Sequence, residues 1–182
     1  MNTGVISKRY AKALYEYAKM HNTETVVYEN MLQLKSTLRK VKEFSVILKD
    51  PSISLAQKVS VICSAVQSST IFEQFATLVV KNERENLLIY IAYAYIDIYR
   101  RENRVVAMKV TTAIPMPESI LNRIENIAET NNNVNVEIRN VVDESIIGGF
   151  ICEANSVRYD ASVRSQLGEI RKRIVKSNKK IV

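Results

Sequence analysis

The sequence predicts an α+β fold, with an N-terminal six-helix bundle followed by a small β-α-β-β-α domain. Apolar side chains recur at the 3.6-residue period of a helix through roughly the first hundred of the 182 residues. Near residue 105 this pattern gives way to β-branched runs and alternation, which are typical of strands. Glycine (4) and proline (3) are scarce, which favours long regular elements over a turn-rich all-β design. We therefore expect two domains, residues 1–104 and residues 105–182.

Three helices are predicted in roughly the first fifty residues. Their apolar side chains are spaced so that they fall on one face of each helix. Thr23 is the predicted N-cap of the second helix, and Asp50-Pro51 ends the third, because a residue before proline is disfavoured in a helix. The apolar faces consist of Ile6, Tyr10, Ala13, Leu14 and Tyr17 in the first helix, Val27, Met31, Leu34, Leu38 and Val41 in the second, and the segment Phe44 to Leu48 in the third.

Three further helices complete the predicted bundle. Ser54 is the expected N-cap of the fourth helix. The sixth helix, from Leu87 to about Arg101, is apolar almost all round, so we expect it at the centre of the bundle. The apolar positions are Leu55, Val59, Ile62 and Val66 in the fourth helix, Ile71, Phe72, Phe75, Leu78 and Val79 in the fifth, and Leu87, Leu88, Ile91, Ala92, Tyr95, Ile98 and Tyr99 in the sixth.

The second domain is predicted to contain three strands and two helices. β-branched runs and alternation indicate the strands, and apolar residues three or four apart indicate the helices. Asp160 is the predicted N-cap of the last helix. In chain order, the elements are a strand from Val105 to Ile114, a helix from Glu118 to Thr130, a turn at Asn131 to Asn133, a strand with Val134, Val136 and Ile138, a strand from Ile146 to Cys152 that contains Gly148-Gly149, and a helix with Val163, Leu167, Ile170 and Ile174.

The residues offer no catalytic, metal-binding or cofactor-binding site. Two cysteines without a CxxC motif and a single histidine, His21, argue against zinc sites and histidine-based nucleophile systems. Gly148-Gly149 leads into a strand rather than a helix, so we interpret it as a bulge or a close backbone approach rather than a phosphate cradle. An enzyme using Asp143 or Asp160 is a remaining hypothesis, but neither acid has a partner at a matching spacing. We expect a binding or scaffolding protein.

The positive net charge is compatible with a second hypothesis, a nucleic-acid-binding protein. The net charge is +7, the pI is about 9.4, and basic residues cluster at Arg171 to Arg173 and Lys176 to Lys180. A nucleic-acid-binding protein would have such a balance. Elsewhere the two signs are interspersed, which does not suggest one basic face. The longest apolar run, Leu87 to Ile96, is too short for a membrane span, and the first residues lack the apolar core of a signal peptide.

Short motifs along nearly the whole chain resemble the delta subunit of bacterial F-type ATP synthase, the counterpart of the mitochondrial oligomycin-sensitivity-conferring protein. Each motif is weak alone, but their order and spacing together are specific. The family usually has a Gly-Asp turn where this chain has Ala154-Asn155-Ser156, and Asn155 can adopt the left-handed turn conformation. The motifs are RYAKALYEYA at 9–18, LKDPSI at 48–53 with Lys58, NER at 82–84 with Leu87-Leu88, VTTAIP at 110–115, VDESIIGGF at 142–150, and DASV at 160–163 with Leu167.

The resemblance implies a stator subunit that makes and breaks no bonds and holds no cofactor. Members of the family join the alpha/beta head of F1 to the peripheral stalk, which keeps the head from turning with the rotor during proton-driven ATP synthesis. The N-terminal bundle receives the N-terminal helix of an alpha subunit, and the C-terminal domain contacts the C-terminal ends of the b subunits. The chain would then lie at the cytoplasmic face of the bacterial cell membrane and associate with the membrane only through the complex.

The resemblance also implies where the alpha-subunit helix binds. In the family, the groove for this helix lies between the first and fifth helices. The same side chains could instead be core, because a helical bundle needs apolar residues at the same spacing. Transferred to this sequence, the candidate contacts are Tyr10, Ala13, Tyr17, Phe72, Phe75, Ala76 and Val79.

Overall fold

A computed structural model describes residues 3–67, 69–132 and 134–178. They form two compact units, of which one ends at Glu102 and the other begins at Asn103. The α+β class is confirmed. The helices are α1 (Thr3–Met20), α2 (Glu24–Lys40), α3 (Lys42–Lys49), α4 (Leu55–Ser64), α5 (Thr70–Lys81), α6 (Leu88–Glu102), α7 (Glu118–Asn132) and α8 (Val163–Asn178), and the strands are β1 (Val105–Thr112), β2 (Asn135–Val142), β3 (Phe150–Ala154) and β4 (Val157–Asp160).

The core of the first unit forms around α6, which packs against both α1 and α2. Ile91 and Tyr95 on its inner face are completely buried. Burial raises the pKa of Tyr95 well above its usual value, so the hydroxyl stays protonated, and it donates to the carbonyl oxygen of Glu24 at 3.1 Å. Tyr90 and Tyr93 are exposed, so α6 presents one side to solvent rather than being enclosed all round.

Helices α4 and α2 both begin directly after their predicted N-cap residues, but only Ser54 makes a capping hydrogen bond with its side chain. The Ser54 side chain accepts a hydrogen bond from the Gln57 backbone N–H, and the Gln57 side chain accepts from the Ser54 N–H, which completes a capping box. Thr23 makes no capping hydrogen bond. Its hydroxyl instead donates to the carbonyl oxygen of Ala18 at 3.3 Å, because the chain turns tightly out of α1 at this point.

The second unit contains a four-stranded sheet in the order β2-β1-β3-β4. Strands β1 and β2 are parallel and joined through α7, whereas β1–β3 and β3–β4 are antiparallel pairs. The prediction of three strands is therefore wrong. Strand β4 was not predicted because it has only four residues and all of them are exposed. Its sequence therefore shows no alternation of apolar and polar side chains.

The hairpin between β3 and β4 turns on two residues with positive φ. Asn155 has φ 45° and Ser156 has φ 71°, which is the backbone sign pattern of a type I′ turn. The left-handed conformation expected of Asn155 is confirmed. The backbone twist of this turn matches the twist of the two flanking strands.

The glycine pair lies before β3 rather than within it. A short 3-10 helix, Glu144–Ile146, occupies the start of the predicted third strand, and β3 begins only at Phe150. Gly149 has φ 73°, and a Cβ atom there would lie 2.2 Å from the carbonyl oxygen of Ala161. The expected close backbone approach is present, but it lies in a turn before β3, where the backbone packs against the residues that lead into α8.

Three further predicted boundaries in the second unit are wrong, and the first is that β1 ends at Thr112 rather than Ile114. Ser162, rather than Asp160, caps α8, because the Ser162 hydroxyl accepts from the Ser165 backbone N–H at 3.2 Å. Asp160 lies two residues earlier and accepts from the Ser162 N–H at 3.0 Å. Helix α7 continues to Asn132, so the turn predicted from Asn131 is displaced. Asn133 and the end of the basic tail, residues 179–182, lie outside the described residues.

Candidate functional site

An apolar groove runs between α1 and α5 in the first unit. Its volume is about 330 Å³, and its lining is almost entirely apolar. Each helix contributes four side chains at spacings of three, one and three, so the lining follows one face of each helix. The lining residues are Tyr10, Ala13, Leu14 and Tyr17 from α1 and Ile71, Gln74, Phe75 and Leu78 from α5.

Four of the seven predicted contact residues line this groove, and the other three do not. Tyr10, Ala13, Tyr17 and Phe75 are among the lining side chains. The remaining three, Phe72, Ala76 and Val79, are completely buried on the inner side of α5.

Sequence reasoning did not select four of the lining residues, Leu14, Ile71, Gln74 and Leu78. Gln74 carries no apolar signal, so no hydrophobic pattern could have identified it. The other three belong to the predicted apolar faces, but helical spacing does not separate the edge of an apolar face from its centre.

Much of the groove is open to solvent. Tyr17 is 42% exposed and Leu78 is 51% exposed. The Tyr17 hydroxyl donates to Oε1 of Gln74 at 3.3 Å, which links the two walls through a polar pair. A partner in the groove would therefore bury apolar surface on both helices and meet one hydrogen-bonding position.

Different side chains lie at the two ends of the groove. At the Tyr10 end, the Arg84 guanidinium lies over the tyrosine ring, 6.0 Å from its centre. At the Tyr17 end, the His21 ring lies 4.4 Å from the tyrosine ring, and Nδ1 is 2.8 Å from the Tyr17 carbonyl oxygen. An arginine–tyrosine contact therefore lies at one end of the groove, and a tyrosine–histidine ring contact at the other.

A second, larger groove lies between α4 and α5, with a volume of about 860 Å³. Helix α5 thus separates two grooves. The lining of the second groove mixes apolar side chains with charged and hydroxyl groups. It comprises Leu55, Ala56, Val59, Ser60, Cys63, Ser64, Glu73, Thr77 and Lys81.

The acids and thiol singled out in the second unit are held in structural roles. Hydrogen bonds from Ser145 lower the pKa of Asp143, and those from Ser162 lower the pKa of Asp160, so both carboxylates are ionised turn acceptors at neutral pH. Burial raises the pKa of the Cys152 thiol, which keeps it protonated and weakly nucleophilic.

The described residues contain neither a metal site nor a membrane-spanning helix. No group of three or more histidine, cysteine, aspartate or glutamate residues is arranged to hold a metal ion in this part of the chain. Nor does any helix described here have the length and apolar character needed to cross a membrane.

The family model for the ATP synthase delta (OSCP) subunit matches residues 6–174. This match spans both units of the chain. The chain belongs to the ATP synthase delta (OSCP) subunit family. The family predicted from the motifs is confirmed, and so, at the level of the family, is the function of an ATP synthase delta subunit. The relatives give no support to the nucleic-acid-binding alternative.

Relatives in this family are similar over their whole length. The ATP synthase subunit delta of Bacteroides thetaiotaomicron is 36% identical over 186 residues, and that of Bacteroides fragilis is 35% identical, with 100% of both chains covered in each comparison. The ATP synthase subunit delta of Clostridioides difficile is 30% identical over 174 residues, which cover 93% of this chain and 96% of that protein.

A solved structure supports the fold. One chain in the cryo-EM structure of the Toxoplasma gondii mitochondrial ATP synthase hexamer matches with a TM-score of 0.63. The match covers 93% of this chain and 97% of that chain at 20% sequence identity. The chain therefore shares the fold of a subunit of that assembly.

Proposed function

We propose that the chain is a non-catalytic peripheral-stalk subunit of an F-type ATP synthase. It links the alpha/beta head of F1 to the b subunits of the membrane sector and resists the torque of the rotor during proton-driven ATP synthesis. Membership of the delta (OSCP) family supports this proposal. A stator link requires adhesive surfaces and a stiff body rather than a reactive group. The chain lies at the cytoplasmic face of the bacterial cell membrane and reaches the membrane only through the complex.

The α1–α5 groove is the proposed site for the amphipathic N-terminal helix of an alpha subunit. The observation that carries this proposal is the apolar lining contributed by two neighbouring helix faces. An amphipathic helix fits such a groove through apolar anchors at positions i, i+3, i+4 and i+7. Tyr10, Ala13, Tyr17 and Phe75 contact the partner directly, together with the lining residues absent from the sequence prediction.

The six N-terminal helices act as one bundle in this proposal. Phe72, Ala76 and Val79 support the groove from within, because their burial holds α5 at a fixed distance from the helices behind it. Residues 1–104 form the F1-binding domain, and residues 105–182 form the domain that contacts the C-terminal ends of the b subunits.

Ala13→Asp tests the groove. Ala13 is an exposed groove residue without a long side chain, so an aspartate there leaves the core intact but puts a charge where the partner must pack. Desolvating that charge costs about 3 kcal/mol, which corresponds to a roughly hundredfold loss of affinity. The measurement is calorimetric titration of the full chain with the N-terminal peptide of the alpha subunit.

Thr77→Asp is the matched control. Thr77 is exposed on α5 but lines the α4–α5 groove, so an aspartate there should leave peptide affinity within about twofold. Circular dichroism checks that both variants stay folded. Unchanged affinity in Ala13→Asp would remove the α1–α5 groove from the proposal, and a loss only in Thr77→Asp would move the peptide to the other side of α5.

A further inference from the structure

An apolar stripe on α8 is exposed to solvent. Leu167 is 52% exposed, Ile170 is 52% exposed and Ile174 is 56% exposed. Their spacings of three and four residues place them on one face of the helix. We refer to Leu167, Ile170 and Ile174 as the α8 stripe. Val175 beside it is 49% exposed, which widens the apolar surface.

Among the described residues, the hydrogen bonds from α8 to the turn before β3 come from its first turn. The Val163 N–H donates to the carbonyl oxygen of Gly148 at 3.0 Å, and the Arg164 guanidinium donates to the Ser145 hydroxyl at 3.2 Å. From Arg164 to Lys176, every residue except Gly168 is exposed. Isolated helices of about this length are marginal in water. Helix α8 therefore needs a partner surface on its apolar stripe to be fully stable as a helix.

The charges around the stripe indicate the chemistry of that partner. Between Val163 and Lys176 there are five basic residues and a single acidic one, Glu169, which lies 3.8 Å from Arg173. A second copy of α8 is a poor partner, because like charges would face each other. The segment has no aromatic residue, and aromatic side chains are typical anchors of membrane-surface helices. A helix that carries carboxylates beside an apolar face satisfies both the stripe and the charge.

We propose that the α8 stripe is the docking surface for an acidic amphipathic helix of the peripheral stalk. This inference rests on the proposed function, in which the second unit contacts the C-terminal ends of the b subunits. The partner helix covers Leu167, Ile170 and Ile174, and its carboxylates lie opposite the basic residues that flank them. Contact with apolar surface holds the partner, and the charges select and orient it.

The apolar part of the inference is tested with Ile170→Ala. The probe is a soluble fragment of the b subunit of the same synthase, titrated against the full chain. Removing an interface anchor should weaken binding at least about tenfold. Ile120→Ala is the matched control, because Ile120 is 47% exposed on α7 of the same unit and should leave affinity within about twofold. Equal affinities for the two variants would overturn the assignment of the stripe.

The charge part is tested with Lys172→Glu, which reverses a charge on α8. Wild-type affinity for the fragment should fall as salt is raised from about 50 mM to about 500 mM, and Lys172→Glu should bind more weakly at low salt with a smaller salt effect. Arg123→Glu makes the same change on α7, where the residue is also exposed, and should match the wild type. A wild-type affinity that does not change with salt would overturn the acidic character of the partner.

Two parallel measurements separate this inference from the proposed function. Binding of the wild-type chain to F1 and to the b fragment tests the function itself, and failure of both would reject it. If the wild type binds the fragment but Ile170→Ala and Lys172→Glu bind equally well, only the α8 inference fails. Tighter binding of the chain to phosphatidylglycerol vesicles or to duplex DNA than to the fragment would also overturn the inference.

Discussion

Among the glycines of the second unit, Gly149 has the least room for a side chain. Its φ of 73° is unfavourable for other residues, and an added Cβ would lie 2.2 Å from the carbonyl oxygen of Ala161. The backbone of the turn and the start of α8 can approach this closely only because the residue is glycine. Sequence reasoning predicted the close approach but located it in a strand, because the following Phe150 begins a run that continues as β3.

Gly149→Ala should lower the free energy of unfolding of the second unit by about 2–4 kcal/mol. The alanine must adopt a left-handed conformation and must also push away a backbone carbonyl, which cannot rotate aside as a flexible side chain could. Urea denaturation followed by circular dichroism measures the loss. A change below about 0.5 kcal/mol would contradict the geometry described for this turn.

The matched control for this substitution is Gly168→Ala. Gly168 lies within α8, and a Cβ there meets nothing within 4 Å. Alanine in a helix interior is favoured over glycine by about 0.5–1 kcal/mol, so this variant should be neutral or more stable. The same chemical change is thus expected to act in opposite directions at the two positions.

At the scale of elements, a buried ion pair joins α4 to the segment before α6. Nζ of Lys58 lies 3.0 Å from Oε1 of Glu85, and the two side chains are only 10% and 9% exposed. Glu85 belongs to the short 3-10 helix that precedes α6. Water is largely excluded from this pair, so each charge depends on the other for compensation.

Lys58→Met should destabilise the first unit by about 3 kcal/mol, because it leaves the Glu85 carboxylate buried without its cation. The double variant Lys58→Met/Glu85→Leu should recover most of this loss. Lys12→Met is the control, since Lys12 forms a solvent-exposed pair with Glu16 at 3.7 Å and should change stability by less than about 0.5 kcal/mol. Thermal and urea denaturation of these proteins and of the single variant Glu85→Leu provide the comparison, and additive losses in the double variant would argue against the pair.

The start of α8 should respond to acid through Asp160. Hydrogen bonds from Ser162 and Ser165 hold the pKa of Asp160 below its ordinary value of 3.8. A carboxylate with a lowered folded pKa contributes stability at pH values above its unfolded pKa, and this contribution is lost as the pH falls through the folded pKa. Asp160→Asn should therefore be less stable than the wild type at pH 7, with the difference shrinking below about pH 4. Denaturation at a series of pH values measures it, and a difference independent of pH would contradict this role.

The helices could be predicted from sequence better than the strands or the groove. Apolar residues at helical spacing indicated each helix of the first unit, because burial on one side imposes that spacing. Strand β4 left no such signal, since all four of its residues are exposed. On α5 the apolar face is wide, and the completely buried Phe72 and the groove residue Ile71 are adjacent in sequence. Only the direction in which α5 packs decides which of them a partner could reach.

At the scale of the whole molecule, the division after Glu102 separates two sets of contacts. Each unit has its own buried side chains: Met31 and Tyr95 are buried in the first, and Val110 and Val136 in the second. Domains with separate cores can fold separately. The predicted boundary at 104/105 lies close to the observed division, because the change from helical to strand periodicity coincides with the change of core.

The two halves of the chain should therefore bind different partners. Residues 1–104 alone should co-purify with F1, because they contain the whole α1–α5 groove, whereas residues 105–182 should be required to retain the soluble b fragment. Pull-down of each half, with the full chain as the control, measures this. Retention of F1 by the second half alone would contradict the division of roles.

Two main-chain hydrogen bonds help to join the region around β3 to the start of α8. The Ala161 N–H donates to the carbonyl oxygen of Phe150, and the Val163 N–H donates to that of Gly148, both at 3.0 Å. Tension along α8 would thus pass into the sheet through peptide groups. Every amino acid provides these groups, except that proline has no N–H. Apart from Gly149 and Asp160, side chains around this joint can therefore be exchanged without removing these two hydrogen bonds.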